Sequence, residues 1–454
     1  MKAMDLYLTN TLTRKKEKFE PINDKKVNLF LCGPTVYDYP HIGNAKTYTQ
    51  FDFIVRCLRY AGFDVFYLQN ITNIDDKILN RAKELNIQWK ELTEKYEKIY
   101  IEDMKKLNNT SVSKYARATD YIEQIIKQIK ILMEKGYAYK IDDGIYFEIS
   151  KFPEYGKLSG RTELKKDDSI SRIDENSQKK GWNDFCLWKF LKPDEPSWEA
   201  EIGDGRPGWH IEDTAITETF FGPQYDVHGG AVDLIIPHHE AEIAQMESSS
   251  GKKPLVRYWL HTGFLMVDGR KMGKSLGNLY TIDDVIKKGF DPLVLRYLFL
   301  GAHYRDTLNF TWDSLSAAQT GLERLRSQVA SLKSETARTV LSEEKQKKVD
   351  EFRTSFTGAL NDDFNTPKAL AVLWEMLKSN IPSGDKYDLA LSFDEILGLK
   401  LSQARNTDIE TPNNIKILIS KREELRKEGK YGESDKIREQ IEETGYEVSD
   451  APIK

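Results

Sequence analysis

A strand, a helix and a second strand follow one another over residues 27–76, and this pattern constrains the fold more than any other part of the chain. The apolar run at residues 27–31 predicts the first strand. The helix begins near Asn44, and its apolar residues recur at helical spacing: Phe51, Ile54, Cys57 and Leu58. Gly62, a natural helix C-terminal residue, precedes a strand at residues 65–68. Such a unit opens a doubly wound α/β sheet, whose ligands bind at the carboxyl ends of parallel strands.

The size and composition of the chain describe a protein of several domains, since 454 residues exceed what one hydrophobic core organises. A net charge of −5 gives no indication of nucleic-acid binding, so any RNA contact requires local basic patches. Three cysteines fit a reducing cytosol rather than a disulfide framework. No apolar run approaches the roughly 18 residues of a membrane span. The N-terminus has no signal-peptide pattern, so we expect a cytoplasmic protein without a membrane partner.

The pattern along the rest of the chain predicts an insertion between two halves of the sheet domain. Thr119 and Asp120 should cap an amphipathic helix that ends at Gly136. A hairpin around residues 142–144 and a charged loop at residues 165–180 should follow. The α/β pattern resumes in two further stretches, at residues 225–228 and 234–236, and helical periodicity then dominates from 282 to 399 and again from 414 to 445.

Histidine placement points to a polar site made by separated segments. Of the seven histidines, five lie within residues 210–261, and His41 lies in a motif at the start of the first helix. That motif is His41-Ile42-Gly43-Asn44. Its position puts polar donors beside the backbone N–H groups that hold phosphate at helix N-termini. Gly43 would let an adenine ring approach the backbone closely. Alone, the motif is equally consistent with a helix start that carries incidental polar residues.

A second motif, far downstream, supports nucleotide binding. It reads Lys271-Met272-Gly273-Lys274-Ser275 and continues as Leu276-Gly277-Asn278. Two lysines spaced by three can embrace a triphosphate, whereas a solvated basic loop is the ordinary alternative. The order and separation of the two motifs resemble the nucleotide-binding signatures of class I aminoacyl-tRNA synthetases.

Longer segments narrow the resemblance to cysteinyl-tRNA synthetases, over the chain to about Val448. These segments are Asn10-Thr11-Leu12-Thr13-Arg14, Cys32-Gly33-Pro34-Thr35-Val36-Tyr37-Asp38, Asn70-Ile71-Thr72-Asn73-Ile74-Asp75-Asp76-Lys77, Arg206-Pro207-Gly208-Trp209-His210-Ile211-Glu212, Pro237-His238-His239-Glu240-Ala241-Glu242 and Asp362-Asp363-Phe364-Asn365-Thr366-Pro367. The chain ends soon after Val448, and we expect a looser anticodon end than in family members with a longer C-terminus.

The resemblance implies an α/β fold: a doubly wound (Rossmann-type) parallel-sheet catalytic domain with an inserted connective domain, followed by a mostly α-helical C-terminal anticodon-binding region. The expected divisions are the first half of the catalytic domain at 1–119, the connective domain at 120–205, the second half of the catalytic domain at 206–255, a stem-contact region with the lysine loop at 256–310, a helical bundle at 311–400 and an anticodon-binding tail at 401–454.

The resemblance also implies ATP-dependent ligation of L-cysteine to tRNA(Cys) through a cysteinyl-adenylate. His41 and Asn44 would support the α-phosphate, and Lys271 and Lys274 the leaving phosphates, with Mg²⁺ bridging. The residues expected to bind ATP are Gly43, His228, Gly229, Gly230, Asp233 and Lys274. Those expected to bind cysteine are Cys32, Gly33, Thr72 and Trp209. The expected partners are ATP, L-cysteine and tRNA(Cys), and the expected state is a monomer.

A zinc ion that binds the substrate thiolate is implied by the family, with two cysteines, a histidine and a glutamate as ligands. Cys32, His238 and Glu242 match, whereas Asp213 occupies the position of the second cysteine. A carboxylate is a legitimate zinc ligand, but it makes the site harder and weaker for zinc than a thiolate would. The alternative is a site without metal, in which Cys32 is a packed thiol.

Two other functions are consistent with parts of this pattern. One is a ligase that activates cysteine by the same chemistry and joins it to an aminoglycoside. The helical region and the two-helix tail favour a tRNA acceptor instead. The other is a non-catalytic paralogue that only binds tRNA, which the intact nucleotide motifs disfavour. Cysteine-dependent ATP–pyrophosphate exchange would exclude the second alternative.

Overall fold

The computed structural model describes residues 5–161, 176–273, 276–333, 341–404 and 413–443. The strands, in chain order, are β1 (Tyr7–Asn10), β2 (Lys15–Lys18), β3 (Lys26–Leu31), β4 (Asp64–Ile71), β5 (Lys114–Arg117), β6 (Ala138–Lys140), β7 (Gly144–Phe147), β8 (Phe185–Phe190), β9 (Gly205–Pro207), β10 (Tyr225–Ala231), β11 (Val256–Thr262), β12 (Leu265–Val267), β13 (Arg270–Lys271) and β14 (Leu308–Phe310). The helices are α1 (Ile42–Tyr60), α2 (Asp76–Leu85), α3 (Trp89–Lys106), α4 (Ile122–Glu134), α5 (Ile211–Phe221), α6 (Glu240–Ser250), α7 (Ile282–Lys287), α8 (Pro292–Leu300), α9 (Trp312–Leu332), α10 (Glu343–Asn361), α11 (Thr366–Lys378), α12 (Ser383–Leu397), α13 (Asn413–Lys427) and α14 (Tyr431–Glu443).

The central sheet has five parallel strands in the order β11-β10-β3-β4-β5. From β3 the chain winds outward through β4 and β5, and it later returns to build β10 and β11 on the other side. The strand order therefore reverses between β3 and β10. In doubly wound sheets the crevice for ligands lies at the carboxyl ends of the strands at this switch point. The predicted fold class is confirmed, and the switch point fixes where a site should be sought.

The two faces of the sheet are covered by different parts of the chain. One face packs α1 against a core that continues into α8 to α12, so the C-terminal helices share a hydrophobic core with the sheet domain. The other face packs against α4, α5, α6 and the inserted sheet. The helices α13 and α14 pack on each other through a separate cluster of Ile415, Ile437 and Ile441. Among the described helices, none is long and apolar enough to cross a membrane.

The insertion contains a four-stranded antiparallel sheet in the order β6-β7-β8-β9. The predicted hairpin forms between β6 and β7. Residues 165–175, most of the expected charged loop, lie outside the described residues. β9 spans Gly205–Pro207 and thus crosses the expected division at residue 205. The insertion and the second half of the sheet domain are therefore joined within a strand.

Two local predictions are wrong. Thr119 and Asp120 do not cap α4, because a 3-10 turn at Ala118–Tyr121 precedes it and Tyr121 makes no side-chain capping bond. Instead Asn73 donates to the hydroxyl of Thr119 at 2.8 Å and accepts its N–H at 3.1 Å. Residues 234–236 form no strand, and helical turns lead from Val232 to His239. Pro237 restricts the residue before it to extended backbone, which interrupts these turns.

Candidate active site at the strand switch point

The carboxyl ends of β3 and β4 approach each other closely just after Cys32. The N–H of Gly33 donates to the side-chain oxygen of Asn70 at 2.5 Å. A Cβ atom at Gly33 would lie 1.8 Å from the carbonyl oxygen of Asn70. Only glycine tolerates this approach. Gly33 therefore positions the backbone that leads out of β3, and with it the thiol of Cys32.

The four predicted metal ligands come together at this end of the sheet. Cys32 follows β3, Asp213 lies on α5, His238 lies in the turn before α6 and Glu242 lies in the first turn of α6. Their donor atoms all lie within 4.8 Å of one another. His238 Nε2 is 3.0 Å from Asp213 Oδ2 and 3.2 Å from Glu242 Oε1. The structure thus brings together the four predicted metal ligands, which lie in separate segments of the sequence.

The donor set fits a zinc ion. A thiol, an imidazole and two carboxylates are zinc-binding groups, and all four side chains are buried. Asp213 Oδ1 and Glu242 Oε2 are buried without a hydrogen-bond partner. Leaving polar oxygens buried and without a hydrogen-bond partner is costly, and a cation between them would remove that cost. These two oxygens argue against the alternative in which Cys32 is only a packed thiol.

Burial also controls protonation here. Burial and the neighbouring Glu242 raise the pKa of the Cys32 thiol well above its ordinary value. Burial and the neighbouring Asp213 raise the pKa of Glu242 well above its ordinary value. Without a nearby positive charge, burial therefore favours the protonated form of both groups. A bound cation would stabilise their ionised forms, so metal binding should release protons.

The other predicted cysteine-binding residues border this group. The indole of Trp209 stacks on His238, with ring centroids 4.3 Å apart and planes 15° apart, and Trp209 is 37% exposed. The buried hydroxyl of Thr72 donates to Glu212, and Asn70 donates to Thr72 at 3.3 Å. Trp209 therefore covers one face of the buried His238, and Thr72 is held by hydrogen bonds to Asn70 and Glu212.

His41 is the N-cap residue of α1. Its Nδ1 accepts the N–H of Asn44 at 3.2 Å. Burial lowers the pKa of His41 to about 4, so the imidazole is neutral at pH 7. A neutral ring that accepts at Nδ1 carries its proton on Nε2. The geometry therefore leaves Nε2–H as a hydrogen-bond donor at the start of α1.

The two nucleotide motifs contact each other. The N–H of Ile42 donates to the carbonyl of Tyr280 at 2.9 Å. A Cβ atom at Gly43 would lie 2.4 Å from Cε of Met272, in the lysine motif. Segments more than 200 residues apart in the sequence thus form one surface at the start of α1.

The lysine loop is closed by an asparagine. Asn278 accepts the N–H of Gly273 at 2.9 Å and donates to the carbonyl of Lys271 at 3.1 Å. Lys271 is exposed, with its ammonium 4.6 Å from the ring centroid of Phe264. Lys274 lies outside the described residues.

The predicted adenosine-binding residues are divided between the protein interior and its surface. Cβ atoms at Gly229 and Gly230 would lie 2.2 Å from the ring of Phe51 and 2.6 Å from the ring of His239. These glycines therefore permit close packing on β10. Asp233 is exposed. His228 is fully buried, with Nε2 3.4 Å from Cys32 Sγ. Its ring faces the thiol group, so its assignment to ATP remains a prediction.

Sequence reasoning missed three further histidines of this site. His210 Nδ1 lies 2.9 Å from His238 Nδ1, and His239 Nε2 lies 3.2 Å from Cys32 Sγ. His239 Nδ1 lies 2.8 Å from His261 Nε2. The concentration of histidines between residues 210 and 261 was the available signal. Among these five histidines, matching to known motifs assigned a role only to His228 and His238.

Comparison with known proteins places this site in a family. The family model described as the class I (C) tRNA synthetase catalytic domain matches residues 18–320, and a DALR domain matches residues 355–380. The cysteine–tRNA ligase of Thermococcus onnurineus is 42% identical, with 99% of this chain and 98% of that protein covered. The cysteine–tRNA ligase of Thermoplasma acidophilum is 44% identical, with 97% of each covered.

A solved structure shares the fold at low identity. Methionyl-tRNA synthetase of Mycobacterium tuberculosis, in complex with methionyl-adenylate, superposes with a TM-score of 0.59 and 15% identity. The match covers 82% of this chain and 90% of that one. The fold, the two motifs and the full-length relatives agree with the resemblance found in the sequence. The chain belongs to the cysteine–tRNA ligases, a family of class I aminoacyl-tRNA synthetases.

Proposed function

We propose that the site at the switch point carries out ATP-dependent ligation of L-cysteine to tRNA(Cys), through cysteinyl-adenylate. The observation that carries this assignment of roles is the convergence of Cys32, Asp213, His238 and Glu242 beside the ends of β3 and β10. In the first step a carboxylate oxygen of cysteine attacks the α-phosphorus of ATP. The bond from that phosphorus to the bridging oxygen breaks, and pyrophosphate leaves with the electron pair.

His41 and Asn44 support the α-phosphate in this proposal, and Lys271 and Lys274 support the leaving phosphates, with Mg²⁺ accompanying ATP. The Nε2–H of neutral His41 is a donor that needs no reorganisation when charge develops. The contact between the two motifs supports a shared role. Most of the acceleration then comes from positioning and electrostatic stabilisation.

The adenosine of ATP would lie over Gly43 and β10. Gly229 and Gly230 let the rings of Phe51 and His239 pack closely on β10, and the exposed carboxylate of Asp233 is accessible to ribose hydroxyls. His228, buried on the same strand, would act through the strand that carries the glycines.

Cysteine would be held by Cys32, Gly33, Thr72 and Trp209. The residues that would hold zinc are Cys32, Asp213, His238 and Glu242. The buried oxygens of Asp213 and Glu242 that lack a hydrogen-bond partner support this assignment. When bound, zinc supplies a Lewis acid that favours a thiolate over a neutral hydroxyl, which would separate cysteine from serine. Trp209 covers His238 and would exclude water from the side chain of the amino acid.

In the second step the acyl group would pass to the 2′-hydroxyl of the terminal adenosine of tRNA(Cys). The expected divisions assign the catalytic halves to 1–119 and 206–255 and the connective domain to 120–205. The region at 256–310 would contact the acceptor stem, the bundle at 311–400 would support the tRNA, and the tail at 401–454 would bind the anticodon. The hydrophobic core shared by α1 and the helices α8 to α12 supports a rigid link between activation and tRNA binding.

Two measurements on the zinc-loaded protein test this proposal. Cysteine-dependent ATP–pyrophosphate exchange is expected, followed by cysteinylation of tRNA(Cys). Lys271→Ala should slow exchange about 10²–10³-fold, because charge on the leaving phosphates loses a partner. Lys252→Ala, at another exposed lysine, is the matched control and should leave exchange unchanged. Absence of exchange would refute the catalytic assignment, and exchange without charging of tRNA(Cys) would refute the acceptor.

A further inference from the structure

Two groups of four potential metal ligands share Cys32 and Glu242. The first adds Asp213 and His238, as described above. The second adds His228 and His239, and its donor atoms also lie within 4.8 Å of one another. All four side chains of the second group are buried. The proposed ligation reaction assigns no metal to this second group.

The distances within the second group suit a tetrahedral ion. Cys32 Sγ lies 3.4 Å from His228 Nε2 and 3.2 Å from His239 Nε2. His228 Nε2 lies 3.5 Å from Glu242 Oε2, the buried oxygen without a hydrogen-bond partner. Bonds of about 2.0–2.3 Å to zinc, arranged tetrahedrally, separate donors by about 3.3–3.6 Å. These three separations are therefore close to those expected between donors around a tetrahedral zinc ion.

Outer hydrogen bonds hold both imidazoles with Nε2 toward that centre. His228 Nδ1 lies 2.6 Å from the hydroxyl of Tyr225. His239 Nδ1 lies 2.8 Å from His261 Nε2, and His261 Nδ1 lies 2.8 Å from the hydroxyl of Thr11. Metal-binding histidines have such partners on the nitrogen that faces away from the metal, because the partner fixes ring orientation and tautomer.

The two groups differ in their chemistry. The first offers one thiolate, one imidazole and two carboxylates. The second offers one thiolate, two imidazoles and one carboxylate. Zinc prefers sulfur and nitrogen donors, and Asp213 gives the first group an oxygen donor where the family has sulfur. The second group is therefore the better match for zinc in this chain.

We propose that, in the absence of cysteine, zinc occupies a second position in this protein, held by Cys32, His228, His239 and Glu242. The shared thiolate and carboxylate let one ion occupy one position or the other. The inference rests on the proposed zinc binding and is independent of the ligation reaction.

Zinc-edge X-ray absorption of the zinc-loaded, cysteine-free wild-type protein tests the proposal without any substitution. One sulfur and the outer-shell scattering of two imidazoles are expected. Scattering from only one imidazole would place the ion in the first group. That result would overturn the second position but would agree with zinc held by Cys32, Asp213, His238 and Glu242. A protein that retains no zinc would overturn both.

Matched variants give a second measurement. His239→Gln should weaken zinc binding by at least about tenfold in competition with a chromophoric chelator. His238→Gln, at the neighbouring buried histidine, should change affinity by less than about threefold. Far-ultraviolet circular dichroism of the metal-free variants checks that both are folded. The reverse pattern, or an equal loss in both variants, would overturn the second position.

Discussion

At the scale of single residues, Asp213 sets the donor chemistry of the first metal-ligand group. Its carboxylate lies 3.0 Å from His238 Nε2 in a buried setting. Asp213→Cys would supply a second thiolate, and we expect zinc to bind at least about tenfold more tightly because sulfur suits zinc better than oxygen. Chelator competition measures this change. Asp213→Ser controls for the lost carboxylate, and equal zinc affinity in Asp213→Cys and wild type would contradict the prediction.

His41 is expected to remain neutral throughout the working pH range. Burial lowers its pKa from 6.5 to about 4. Between these two values the unfolded chain binds more protons than the folded protein. The contribution of His41 to stability is therefore complete above pH 6.5 and is lost as the pH falls toward 4.

The imidazole Hε1 resonance measures the protonation of His41 directly. Its chemical shift should stay constant from about pH 5.5 to 8, well above the lowered pKa. His41→Asn assigns the resonance by its disappearance. A titration midpoint near the ordinary histidine pKa would show that the ring is not held neutral.

At the scale of secondary-structure elements, α1 is linked to the β11–β14 region by a buried lysine. The ammonium of Lys46 donates to the carbonyls of Gly263 and Asp306, at 2.8 and 3.3 Å. Burial lowers the pKa of Lys46 to about 8. Lys46→Met would leave both carbonyls without this donor, and we expect the free energy of unfolding to fall by about 2–4 kcal/mol at pH 7.

The free energy of unfolding, measured with denaturant at two pH values, distinguishes the packing contribution of Lys46 from the contribution of its protonation. Between the folded pKa of about 8 and the ordinary value of 10.5, the unfolded chain binds more protons at residue 46. This residue therefore adds stability as pH rises through that interval, and Lys46→Met should lose that part of the slope. Lys83→Met, at an exposed lysine of α2, should retain it. Equal slopes in wild type and Lys46→Met would contradict the assignment.

Elements with strong periodicity could be predicted from the sequence, and elements set by tertiary contacts could not. The helix at Ile42–Tyr60 and its flanking strands follow from local patterns. Residues 234–236 are too short an apolar run to distinguish a strand from a turn. The prediction of a cap for α4 was wrong for a different reason. Asn73, remote in sequence, takes the hydroxyl and the N–H of Thr119.

At the scale of the whole molecule, Arg296 joins the sheet domain to the C-terminal helices. From α8 it donates to Asp52 on α1 at 2.8 Å, to Asn109 Oδ1 at 2.9 Å and to the carbonyl of Leu397 at 2.6 Å. It is fully buried. Arg296→Met should cost about 2–4 kcal/mol, because the buried Asp52 loses one of its two arginine partners and retains only Arg56.

Calorimetry with a surface control tests that prediction. Arg353→Met, at an exposed arginine of α10, should change stability by less than about 0.5 kcal/mol. A loss of unfolding cooperativity in Arg296→Met would show that the two regions unfold separately without this link. An unchanged transition in that variant would show that Arg296 does not couple them.

The helices α13 and α14 should be dispensable for the activation of cysteine. Its apolar residues pack on each other rather than on the sheet domain. A chain ending at residue 404 should keep cysteine-dependent ATP–pyrophosphate exchange within about twofold, and lose at least about tenfold in kcat/KM for tRNA(Cys). The remaining affinity for tRNA should fall with salt if phosphate contacts persist. Equal losses in exchange and charging would contradict this division.

The site itself was only partly predictable. Family motifs selected Cys32, Asp213, His238 and Glu242, which the structure brings together. They did not select His239, which contacts Cys32 across 207 residues of sequence. That contact depends on how the turn before α6 packs against the end of β3, and local patterns carry no information about such tertiary packing. The clustering of histidines indicated a site without indicating its geometry.

The pairing of β3 with β10 also decides how this site can change over evolution. His228 lies opposite Phe30, and Gly229 lies opposite Leu31. A shift by one residue would turn the imidazole to the opposite face of the sheet and offer no donor in its place. Residue 213 lies on α5, outside this pairing, so a substitution there can alter the softness of the donor set without a change of strand register. Metal preference can therefore change through a single side chain while the strands that build the site stay paired as they are.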